Sequence, residues 1–82
     1  MPLYFFDVTD GDTRYADDVG TDMSDLSEVR QEALSTLRDF ASDRAPEAGT
    51  RTYTILARDE AGRAILSAEA VVTLRWLQTT ED

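Results

Sequence analysis

Two turn signals, Asp10-Gly11 and Asp59-Glu60-Ala61-Gly62, stand on either side of one amphipathic stretch and bracket what this chain can fold into. Glycine accepts the positive φ that tight turns demand, so each signal reads as the tip of a hairpin. Leu3-Tyr4-Phe5-Phe6-Asp7-Val8 runs into the first, with Tyr4, Phe6 and Val8 on one face, and Thr13-Arg14-Tyr15-Ala16 returns as a short polar edge strand. Arg51 to Arg58 alternates before the second, with Tyr53, Ile55 and Ala57 facing one way. Beyond it Ala64, Leu66, Ala68, Ala70, Val72, Leu74 and Trp76 share one parity, which reads as one long strand; a short helix over 68–74 is the alternative.

Between the hairpins, Asp25-Leu26-Ser27-Glu28 is a capping box. Leu26, Val29, Ala33, Leu37, Phe40 and Ala41 then recur at three- and four-residue steps with Leu34 on the flank, and Pro46 disfavours helix beyond Arg44. The expected fold is α+β, ββαββ, in a single domain: an antiparallel four-stranded sheet with one amphipathic helix on one face. The strands fall at about 3–9, 13–16, 51–58 and 64–76 in order 2-1-3-4, and the helix at about 26–44. That helix should pack on Tyr4, Phe6, Val8, Tyr53, Ile55 and Leu66.

Composition narrows the chemistry. The chain has no His, no Cys and no Lys, so its serines lack a base to activate them and no thiol can ligate or react. Its glycines are isolated turn residues rather than a phosphate-cradling loop. Neither an enzyme nor a cofactor is expected. The missing cysteine favours a reducing compartment, Met1-Pro2-Leu3 leads straight into a strand without a signal-peptide pattern, and no apolar run reaches membrane-spanning length. A cytoplasmic protein without membrane contact is the expectation. The formal charge of −9 disfavours nucleic acid, and residues 1–25 hold seven Asp against Arg14 alone.

Three surfaces remain as candidates. Asp7, Asp10, Asp12, Asp17 and Asp18 gather near the first hairpin, where oxygens could surround a hard cation, but the EF-hand spacing is missing and a solvated acidic edge is the plainer reading. No metal is expected there. On the helix, Glu28, Glu32, Asp39 and Asp43 fall within about 60° of one another on a helical wheel. No Arg stands four residues from any of them, which makes a docking face for a basic protein partner or an ordinary solvated face. The sheet face away from the helix would show Leu3, Phe5, Leu56, Ile65 and Val71, an apolar set suited to a homodimer, sheet on sheet.

Met1-Pro2-Leu3-Tyr4-Phe5-Phe6-Asp7-Val8, Asp10-Gly11, Asp17-Asp18-Val19-Gly20, the helix opening from Leu26 to Ala33, and Arg58-Asp59-Glu60-Ala61-Gly62-Arg63 together resemble an uncharacterised bacterial domain family of short acidic proteins. The resemblance covers residues 1–67. It implies a small cytoplasmic α+β domain and carries over no catalytic residue. Members often have His where this chain has Asp7, so a role built on that His does not transfer. The function expected is a non-catalytic interaction or regulatory module, self-associating through the outer sheet face; the alternative is a small metal- or ligand-binding protein using the Asp-rich pole.

Overall fold

Alternation and turn chemistry produce the expected layers in the computed structural model, which describes residues 2–78. The elements are β1 (Leu3–Asp10), β2 (Thr13–Tyr15), β3 (Thr21–Asp22), α1 (Leu26–Asp43), β4 (Gly49–Arg58) and β5 (Ala64–Leu74). All strand pairs are antiparallel, in the order β2-β1-β4-β5, with β3 also on β1. The sheet therefore has five strands rather than four. The added one, β3, returns along the same edge of β1 that β2 occupies, pairing Leu3 with Asp22 and Tyr4 with Thr21. The amide of Met23 donates to the Pro2 carbonyl at 3.1 Å, and its side chain is buried. A two-residue pairing held by one buried side chain shows no periodicity, which is why a four-stranded reading missed it.

The core lies between the sheet and α1. Phe6, Val8, Tyr53, Ile55 and Ala57 are buried from the sheet side, Val29, Ala33 and Leu37 from the helix, and Met23 closes one end. Tyr4, Leu66, Ala68, Ala70, Val72, Phe40 and Ala41 pack around them half-buried. Leu26 departs from the expected stripe, being 59% exposed in the first turn ahead of Val29. The capping box forms: the Asp25 carboxylate accepts from the Glu28 amide at 2.9 Å, while Glu28 reaches back to the Ser24 amide at 2.7 Å. At the far end the helix stops at Asp43, and Arg44 lies over the Phe40 ring at 4.4 Å and the Tyr15 ring at 5.2 Å. The Tyr53 hydroxyl, at the core's deep end, donates to the Arg44 carbonyl.

The second hairpin closes as read. Asp59 accepts the amides of Ala61 and Arg63, and a bulge shifts the β4–β5 register beside Ala57 and Arg58, making Ile65 the extra residue. Residues 68–74 are strand, not helix, and β5 ends at Leu74, short of the expected 76. Trp76 does not fold over the outer face. It is 73% exposed, with its indole N–H on the Glu47 carbonyl at 2.9 Å. The polar run from Thr79 to Asp82, which reads in the sequence as a frayed tail, lies outside the described residues. No helix among the described residues is long and apolar enough to cross a membrane.

Candidate functional site

A buried charged cluster lies on the outer face of β1. Residue parity sends Leu3, Phe5, Asp7 and Thr9 to that side, away from α1. Across the ladder Phe5 faces Arg58 and Asp7 faces Leu56. Asp7 is 3% exposed, and an ionised carboxylate that deep needs partners. It has four. Oδ2 accepts from Arg58 Nε at 2.7 Å and Arg14 Nη2 at 3.1 Å; Oδ1 accepts from the Asp17 amide at 2.9 Å and Arg58 Nη2 at 3.2 Å. The Arg58 hydrogen bonds, opposed by desolvation and helped by the Asp17 amide and Arg14, lower its pKa to about 2. Arg58 is raised in turn, chiefly by its bond to Asp7.

Asp17 extends the network into the backbone. The break between β2 and β3 leaves the Phe6 amide facing a gap, and Asp17 Oδ2 fills it at 3.1 Å, while Oδ1 holds the amides of Val19 and Gly20 at 3.0 and 3.1 Å. Burial pushes the Asp17 carboxyl up, but the Gly20, Phe6 and Val19 amides outweigh it and the pKa falls. The Asp17 carbonyl also accepts from Arg58 at 3.0 Å. The loop so anchored lies across Phe5. Gly20, at φ +83°, sits where an added Cβ would come within 2.8 Å of the Phe5 ring, and Arg58 stacks on that ring at 5.0 Å.

The other acidic candidates do not join this cluster. Asp10 faces the helix side, buried, and is paired with Arg51 at 2.6 Å, an ion pair that raises Arg51. Asp12 and Asp18 are exposed. Among the described residues no three acids converge as metal ligands do, and each buried carboxylate is matched by an arginine or by amides. Nor is the outer face one apolar patch. Leu3, Phe5 and Leu56 are half-buried around the Asp7 network, whereas Ile65 and Val71 are exposed on β5. On the helix, Glu28 and Glu32 border an open, shallow depression with Asp22, Met23, Gln31 and Ser35, and Asp39 and Asp43 are exposed farther along.

Sequence reasoning placed Asp7 on the outer face but missed what neutralises it. Arg58 is 51 residues away, and its signal was its shared parity with Leu56, directly opposite the Asp7 side of the ladder. The model of a family described as a domain of unknown function, DUF6894, matches residues 3–76, from the first residue of β1 to just past β5. The chain belongs to that family. No curated protein and no solved structure matches it. The DUF6894 match runs beyond Ser67, where the resemblance read from the residues ended, so it takes in the whole of β5. In this DUF6894 chain the charged cluster is a self-contained clamp holding a loop to a strand.

Proposed function

We propose that this chain is a small, non-catalytic, cytoplasmic interaction module that works by self-association. One observation carries the reading: the buried acids spend their hydrogen-bonding capacity internally, while apolar side chains stay exposed along β5 and just past it. Asp7, Asp10 and Asp17 spend their oxygens on arginines and amides, so none of these three is open for proton transfer. Ile65 near the start of β5, Val71 within it and Trp76 and Leu77 just past its end are 39%, 59%, 73% and 94% exposed. Apolar side chains left uncovered along one strand favour protein contact over catalysis.

Light scattering over a wide concentration range tests this. A mass near twice 9.2 kDa at the upper end is expected; a mass of 9.2 kDa throughout overturns the reading. A second reading, a basic protein docking on the helix, is favoured by Glu28, Glu32, Asp39 and Asp43 forming no ion pair among the described residues. Reversing Glu32 and Asp39 to Arg should then abolish capture of that partner, and unchanged capture removes it.

A further inference from the structure

We propose that two copies of the chain join edge to edge through β5, antiparallel, about a two-fold axis at Val71, so that their sheets become one. The proposal rests on self-association and names its contact. β5 is eleven residues long, holds no proline and one charge, Glu69, and among the described residues has a strand neighbour on one side only. Such an edge presents a row of unpaired amides and carbonyls to another chain. The opposite edge is built differently. There β2 has three residues, carries Arg14, and is separated from β3 by the loop that Asp17 pins to the Phe6 amide. One edge has been made unfit for pairing and the other has not.

Symmetry limits the register. Residues opposite each other in an antiparallel pair lie on the same face, so a two-fold axis normal to the sheet must pass through a residue. At Glu69 it would oppose two carboxylates, which is destabilising. At Ala68 it would set Val71 against the bulged Ile65 and run Thr73 and Leu74 into the second copy's turn at Arg63 and Gly62, and at Ala70 it would set Glu69 against Val71. At Val72 it would set Val71 against Thr73 and pair only residues 70–74 of each β5, with Glu69 facing Arg75 just past the strand's end.

Val71 gives the longest pairing, residues 68–74 of each copy, that stays clear of the bulge at Ile65 and keeps Glu69 off both Val71 and its own copy. Val71 then faces Val71 of the second copy, Ala70 faces Val72, Ala68 faces Leu74, and Glu69 faces Thr73 with Arg75 of the second copy on its diagonal. The exposed Val71 is covered at the axis, and Glu69 comes near a base. The helices of both copies fall on the same face, extending the half-buried row of Leu66, Ala68, Ala70, Val72 and Leu74 across the join.

The chain has no cysteine, so single cysteines report the geometry. Val71→Cys should link into a covalent dimer with a thiol reagent spanning roughly 5 Å, the distance between directly opposed Cβ atoms. Thr73→Cys, about 14 Å from its own copy along the paired strands, should not link. Val71→Lys, at an exposed position, should keep its circular dichroism while weakening association at least about tenfold. If the parent chain is monomeric at every concentration, both self-association and this pairing fail. If the parent is dimeric but Val71→Cys does not link, or links no better than Thr73→Cys, or Val71→Lys stays dimeric, the pairing alone is overturned. Linking by Val72→Cys in place of Val71→Cys overturns the register.

Discussion

With four donors on two oxygens, the Asp7 carboxylate has no acceptor capacity left for a cation or a substrate. What it supplies is stability with a definite pH dependence. Its folded pKa lies below the unfolded value, 3.8 against about 2, so the contribution is fully present above about pH 5 and is lost as the pH falls through the range between them. The size is about 2 kcal/mol. Asp7→Asn should cost about 2–3 kcal/mol in urea unfolding at neutral pH, because it leaves the Arg58 charge poorly matched, and should flatten the acid limb of the stability curve. A variant as stable as the parent at pH 7 would show the clamp to be idle. Gly20→Ala meets two obstacles, the positive φ and the Phe5 ring, and should lose about 1–2 kcal/mol. Adding Phe5→Leu should recover the part due to the ring, read from the same urea midpoints.

At the level of elements, α1 depends on its cap and on three side chains. Asp25→Ala should cost about 1 kcal/mol. Leu37→Ala, in the core, should cost about 2–4 kcal/mol, whereas Leu34→Ala, 41% exposed, should stay below about 1 kcal/mol in the same denaturation series. The elements legible in the sequence are those whose pattern repeats over many residues: β1, α1, β4 and β5, the two hairpin tips, and the sheet order that follows from antiparallel neighbours. Local signals without repetition were not legible. β3 is too short for a period, Met23 is a lone apolar residue in a polar loop, and Leu26 fits the helical spacing yet precedes the part of α1 the sheet covers. The site was half legible, because alternation says which face a side chain takes but not which distant residue meets it there. Asp7 with Arg58 and Asp10 with Arg51 are such meetings, made across the β1–β4 ladder.

The whole molecule is drawn out rather than round. Its radius of gyration is 15.5 Å, against about 12 Å for a compact chain of this length. A long, thin slab leaves much of its sheet margin uncovered, and a dimer would correct this. Its melting temperature should then rise with protein concentration, by mass action, and that rise should vanish in Val71→Lys. Net charge bears on the same equilibrium. Two chains of −9 repel, but the acidic excess sits on residues 1–25, in the β1–β2–β3 half of the sheet away from β5, so added salt should strengthen association only modestly in light scattering. For a pair formed through β5, the loop fastened by Asp17 would also limit how large the assembly grows. Both outward margins of such a pair would be the interrupted kind, where β2 offers only three residues to a third copy. The carboxylate that fills a gap beside Phe6 would then act as a chain terminator, separating a finite pair from an open-ended fibril.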